Sequence, residues 1–161
     1  MKIGFIGMGK LGLPCALAIE SKGHDVVGYD SSNTVTDYIR NKHIPYKEEG
    51  VSDALERSKI RIVTLGELVE FSDIIFVGVQ TPHNEKFEGI TELPDDRVDF
   101  DYTFLKKATS DLSNEIKKQN VEKIVIIIST VLPGTIEKEI KPLLHNNVKL
   151  CYNPFFIAMG T

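Results

Sequence analysis

Gly7-Met8-Gly9-Lys10-Leu11-Gly12 follows directly on a short β-rich run, Lys2-Ile3-Gly4-Phe5-Ile6. A strand that breaks into three glycines at this spacing and then opens a helix marks a phosphate-binding turn of the dinucleotide type. Gly7 permits the tight turn, Gly9 lets the backbone come close to a pyrophosphate, and Gly12 lets the helix sit tightly on the sheet. The N–H groups of the turn, Met8, Lys10 and Leu11 included, and the positive end of the helix would hold the anion.

Working outward, similar runs recur at Asp25–Tyr29, Ile60–Val63, Asp73–Val77, Lys123–Ile128 and Val148–Tyr152, six strands in all with the first. Several are continuously apolar, as expected of strands covered on both faces of a parallel sheet. Helical patterns lie between them. After Asp101, a predicted N-cap, Phe104, Ala108, Leu112 and Ile116 repeat at four-residue spacing. A second stretch from Gly134 places Ile136, Ile140, Leu143 and Leu144 on one side, with Pro142 set to kink or end it. This alternation predicts a Rossmann-type, doubly wound α/β fold, a mainly parallel sheet of about six strands with helices on both faces. Residues 83–99, rich in Glu, Asp, Pro and Gly, show no period and form a long functional or mobile loop.

Asp30 ends the second strand, 18 residues beyond Gly12. A carboxylate there can accept hydrogen bonds from the adenosine ribose hydroxyls, which favours NAD. A 2′-phosphate would meet its charge and find no Arg or Lys in Ser31-Ser32-Asn33-Thr34, which disfavours NADP.

With 161 residues, 42% of them apolar, the chain suits one domain, 1–161. A net charge of −4 argues against a nucleic-acid partner. No run matches a membrane span or a signal peptide, so a cytoplasmic protein with no membrane contact is expected. Cys15 and Cys151 have no metal-binding or disulfide spacing and are read as small buried apolar residues, and no metal site is suggested.

Five stretches stand in one order along the chain: Gly12-Leu13-Pro14, Gly23 to Asp30, Val77-Gly78-Val79-Gln80-Thr81-Pro82, Ser129-Thr130-Val131-Leu132-Pro133-Gly134-Thr135, and Asn153-Pro154-Phe155-Phe156. Over nearly its whole length the chain resembles the NAD-binding domain of the UDP-glucose/GDP-mannose dehydrogenase family. The resemblance implies a nucleotide-sugar 6-dehydrogenase, most closely of the UDP-glucose type, that oxidises a sugar primary alcohol to a carboxylate with two NAD. It places Thr81, Pro82 and Thr130 near the dinucleotide, with Thr130 close to the reacting centre. The bland reading of Pro82 and Pro133 is that they end a strand and start a helix. The histidines, His24, His43, His83 and His145, are read as structural.

The sequence departs from the family at three places. The family's acidic positions after Asn-Pro are held by Phe155 and Met159, and a basic residue common five positions after the ribose acid is Val35. The family's catalytic cysteine, which forms a thiohemiacetal and then a thioester, lies in a later domain and is matched by neither cysteine here. The chain alone is therefore expected to bind cofactor without turnover. The nucleotide sugar would be bound through domains beyond this chain, and the full-length protein is compatible with a homo-oligomer. Two other readings stay open: a hydroxyacid dehydrogenase of the 6-phosphogluconate or 3-hydroxyisobutyrate type, and an NAD-sensing module without chemistry.

Overall fold

Six of the apolar runs become the strands of one fully parallel sheet: β1 (Lys2–Ile6), β2 (Asp25–Tyr29), β3 (Arg61–Ile62), β4 (Ile74–Val77), β5 (Lys123–Ile127) and β6 (Val148–Tyr152), in the order β3-β2-β1-β4-β5-β6. The computed structural model describes residues 1–87, 92, 95–96 and 98–155. Because strand side chains alternate, each strand feeds two cores. Ile3 and Phe5 of β1 join Leu13, Ala16 and Leu17 of α1 (Gly12–Ser21), Ile39 of α2 (Asn33–Arg40) and Leu55 of α3 (Val51–Arg57). Ile6, Val77 and Ile127 join Leu68 of α4 (Leu65–Phe71) and Leu105, Leu112 and Ile116 of α5 (Thr103–Gln119) on the other face. Register pairs Phe5 with Phe76, whose rings stack at 4.9 Å.

Strand order reverses between β1 and β4, so connections leave the two strands to opposite faces. A crevice opens where their carboxyl ends part, and ligands of doubly wound sheets bind there.

Four expectations need correction. The edge strand β3 is two residues long, not four, because only its centre pairs regularly with β2, although Val63 N–H still donates to Gly28 O at 2.9 Å. On α5 the buried stripe is Leu105, Thr109, Leu112, Ser113 and Ile116, and Phe104 is 46% exposed. Thr109 tolerates burial because its hydroxyl donates to the carbonyls of Leu105 and Lys106 at 2.7 and 3.1 Å. The stretch after Gly134 is no regular helix: Ile136–Ile140 is a wide π turn and Lys141–Leu143 a 3₁₀ turn, with Leu144 extended. Pro142 has no N–H and its ring presses on the preceding turn, which explains the loosened winding. Cys151 is exposed on the edge strand β6, and Cys15 is only half-buried.

The N-cap of α5 is Tyr102 and not the expected Asp101, and among the described residues no side chain caps the helix; Asp101 stands one residue earlier, its Oδ1 accepting the Thr103 N–H at 2.8 Å. In the 83–99 segment, Glu85–Phe87 form one 3₁₀ turn. Residues 88–91, 93–94 and 97, with Met159 and the rest of 156–161, lie outside the described residues.

Candidate cofactor site

The carboxyl ends of β1, β2 and β4 frame a cleft of about 470 Å³. Gly7, Asp30 and Gly78 line its floor, Ser32 and Val35 one wall, and Phe104 and Lys107 of α5 the other. The glycine turn is held shut from below. Gly7 has φ +87°, and a Cβ there would lie 2.6 Å from the Gly78 carbonyl oxygen. A Cβ on Gly12 would lie 1.8 Å from the Gly7 carbonyl oxygen, so the start of α1 rests directly on the turn. Gly9 differs from both: a Cβ there would meet nothing within 4 Å. The turn is therefore rigid at its two feet and open at its crest, which is the shape a pyrophosphate requires. No side chain caps the first turn of α1.

Asp30 fastens the turn to the second strand. Its Oδ2 accepts the Met8 N–H at 2.7 Å and its Oδ1 the Ser32 N–H at 2.8 Å. Each oxygen keeps a further lone pair for a hydroxyl donor from the cleft. The Met8 N–H, expected to hold the anion, is instead engaged by Asp30, and the Met8 side chain is 1% exposed and lies over Gly28, where a Cβ would come within 2.8 Å of it. Lys10 projects outward, its ammonium 6.0 Å from the Tyr46 ring centre, and Leu11 packs into the α1-side core.

Beyond Gly78 the β4 and β5 loops are tied together. Thr81 Oγ1 donates to the Thr130 carbonyl at 2.7 Å, and Ser129 Oγ donates to the Val79 carbonyl at 2.6 Å. Thr81 thus spends its proton on positioning Thr130, whose own exposed hydroxyl makes no hydrogen bond among the described residues. The carbonyl of Pro82 accepts the Asp101 N–H at 2.7 Å, which anchors that loop to the start of α5.

Tyr102, which sequence reasoning missed, organises the turn after Thr130. Its hydroxyl accepts from Leu132 N–H and Thr135 Oγ1, each at 3.2 Å, and donates to Asp99 Oδ1 at 2.5 Å. Burial, and then the Asp99 carboxylate, hold the phenol above its ordinary range. Tyr152 adds a second pin, its hydroxyl accepting from Val131 N–H at 3.2 Å.

Lys107 was missed as well, because it is remote in sequence from Asp30. The cleft does contain a cation, contrary to what residues 31–34 suggested. Its ammonium is held by Asp111 Oδ2 at 2.9 Å, and that hydrogen bond and charge raise its pKa. Phe155, in place of an acid, is half-buried against the α1-side core.

Against known proteins, the family model for the NAD-binding domain of the UDP-glucose/GDP-mannose dehydrogenase family matches residues 1–161. The chain belongs to this family. A GDP-mannose 6-dehydrogenase of Pseudomonas syringae pathovar tomato is 29% identical over 174 residues, covering 100% of this chain and 37% of the relative. A UDP-N-acetyl-D-mannosamine dehydrogenase of Pyrococcus horikoshii is 32% identical over 150 residues, covering 91% and 32%. The crystal structure of a ternary complex of GDP-mannose dehydrogenase from Pseudomonas aeruginosa superposes with a TM-score of 0.85 at 25% identity, over 99% of this chain and 37% of that one. The chain thus spans little more than a third of the length of these relatives. It is an NAD-binding domain of that family, with NAD as its cofactor, and the hydroxyacid dehydrogenase reading is set aside.

As in any such domain, chemistry needs groups facing the nicotinamide end, and this dehydrogenase-family chain offers few. Burial raises the Cys15 thiol, and Cys15 packs into the α1-side core. Cys151 lies on β6, away from the cleft lining. Among the described residues no three His, Cys, Asp or Glu side chains converge to hold a metal, and no helix is long and apolar enough to cross a membrane.

Proposed function

We propose that the protein carrying this domain oxidises the primary alcohol of a nucleotide-linked hexose to a carboxylate, using two NAD per sugar, in the cytoplasm. The observation that carries the reading is the glycine turn, closed at Gly7 and Gly12, open at Gly9 and bonded through Met8 N–H to Asp30. Bound there, NAD supplies a hydride acceptor. Gly9 and the neighbouring N–H groups receive its pyrophosphate, and Asp30 orients the adenosine ribose. Thr81 holds the backbone of the β5 loop at Thr130, which supports a role for the exposed Thr130 hydroxyl in donating to or accepting from a polar group at the reacting end.

The sugar itself is contacted by parts of the protein outside residues 1–161. The motifs suggest UDP-glucose, whereas the similarity to GDP-mannose 6-dehydrogenases over the whole chain favours GDP-mannose as a second reading. The test is NAD reduction by the full-length protein with UDP-glucose, GDP-mannose and UDP-N-acetylmannosamine. Two NADH formed per sugar consumed, with one of the three, is the expected result. One NADH per sugar, or none with any of them, would overturn it.

A further inference from the structure

At the opposite end of the sheet, by the amino ends of the strands, a second cleft of about 540 Å³ lies between α1, α3 and the start of β3. One wall is the α3-to-β3 link, Arg57-Ser58-Lys59-Ile60-Arg61. Ser58 has extended dihedrals (φ −65°, ψ 145°), and Ile60 is 6% exposed. In an extended ribbon alternate residues point to opposite sides. With Ile60 turned into the core, Lys59 and Arg61 face the cleft roughly 6–7 Å apart along the ribbon, and Arg57, the last residue of α3, lines the same cleft.

The ribbon is built firmly. Glu20 Oε1 accepts the Lys59 N–H at 2.7 Å, and Ser58 Oγ accepts the Ile60 N–H at 3.0 Å. The carboxylate of Glu20 is thus engaged by backbone. None of the three cations makes an ion pair among the described residues, whereas Lys106, Lys107, Lys141 and Lys149 each lie within 2.9 Å of a carboxylate. His24, in the turn between α1 and β2, and Asp25 at the start of β2 also line the cleft. Leu17, Ala54 and Phe71 add apolar surface.

Three cations gather in one concavity, none within ion-pair distance of a carboxylate among the described residues, although Glu20 and Asp25 line the same cleft and Arg61 acts on the Glu67 carboxylate; on a chain of net charge −4 that is more positive charge than composition would scatter there. The forked donors of two guanidiniums suit a group with several anionic oxygens. We propose that this cleft binds a phosphorylated small molecule, its phosphates held by Arg57, Lys59 and Arg61 with His24, at a site separate from the NAD crevice.

The probe is inorganic pyrophosphate, titrated into the ¹⁵N-labelled chain with NADH saturating the first crevice and sodium chloride holding ionic strength constant. Saturable shifts of the Gly23, His24, Lys59 and Arg61 amides are expected. Replacing both arginines (Arg57→Ala with Arg61→Ala) should weaken pyrophosphate at least tenfold, with NADH affinity unchanged within twofold. Lys59→Ala alone should weaken it severalfold, and spectral dispersion checks that each variant is folded. Shifts that fail to saturate, that sodium chloride reproduces, or that fall only on Gly7 to Gly12 would overturn the proposal, as would a folded double variant that binds pyrophosphate like the parent.

Discussion

The three glycines of the turn are chemically identical and physically different, so substituting them separates folding from binding. At Gly9 the backbone lies outside the left-handed region and a Cβ would point into open space. Gly9→Val should therefore fold, melting within about 3 °C of the parent, and should lose NADH binding because the branched side chain fills the place of the pyrophosphate. Circular dichroism and NADH fluorescence read the two effects apart; a folded variant that binds NADH undiminished would make the turn purely structural. Asp30 carries a second expectation. The chain should prefer NAD to NADP by about 1.5–3 kcal/mol, the range for hydrogen bonds to charged groups, and Asp30→Ala should lose most of that preference. Lys107 does not reverse it, since Asp111 already holds its ammonium. Because Asp30 also bonds Met8 N–H, the variant should bind NAD itself less tightly. Calorimetric titrations with both cofactors decide the matter, and equal affinities in the parent would end the argument.

Elements whose partners are near in sequence were legible, and those decided by distant contacts were not. The glycine turn and Asp30 announced β1, α1 and β2 because strand, turn and acid all lie within Lys2–Asp30. Helix α4 carried a signal of the same kind that went unread: Thr64 Oγ1 accepts the Glu67 N–H while the Glu67 carboxylate accepts the Thr64 N–H, a capping box spelled Thr-x-x-Glu. Tyr102 had no such signal. A tyrosine at the start of a helix says nothing of a turn some thirty residues later, and only the closed sheet brings Leu132 and Thr135 to its hydroxyl. Tyr102→Phe strips a partner from both groups and should cost about 1–3 kcal/mol at pH 8. The folded phenol titrates above its unfolded value of about 10. Its contribution is therefore complete below about pH 10 and fades as pH rises through the raised folded value. Urea melts at pH 8 and pH 10.5 should show the gap between parent and variant narrowing. A gap that is constant or widens with pH would show that the phenol is not held neutral by the fold.

At the scale of the molecule, the described residues frame a candidate cofactor crevice and offer few groups for chemistry on a substrate. Hydride transfer from an alcohol needs a base to take the hydroxyl proton, and the aldehyde step implied by the family resemblance needs a thiolate beside the sugar. Neither sulfur of the chain lines the crevice: Cys15, on α1, packs against the α1-side core with its thiol raised by burial, and Cys151 is on β6. Phe155 brings an aromatic ring into the α1-side core in place of a carboxylate. Thr130 offers a hydroxyl, which can orient a group but is far too weak a base to deprotonate an alcohol near neutral pH. The 161-residue chain should therefore bind NADH and give no NAD reduction with UDP-glucose, GDP-mannose or UDP-N-acetylmannosamine, while the full-length protein turns over with one of them. Absorbance of NADH at saturating NAD follows both, with NADH fluorescence confirming in the same preparation that the short chain holds cofactor. Turnover by the short chain would place the base and nucleophile within residues 1–161, and Thr130→Ala would then be the first variant to examine. A short chain that folds but fails to bind NADH would instead show that the Gly9 cradle needs the rest of the protein to close it.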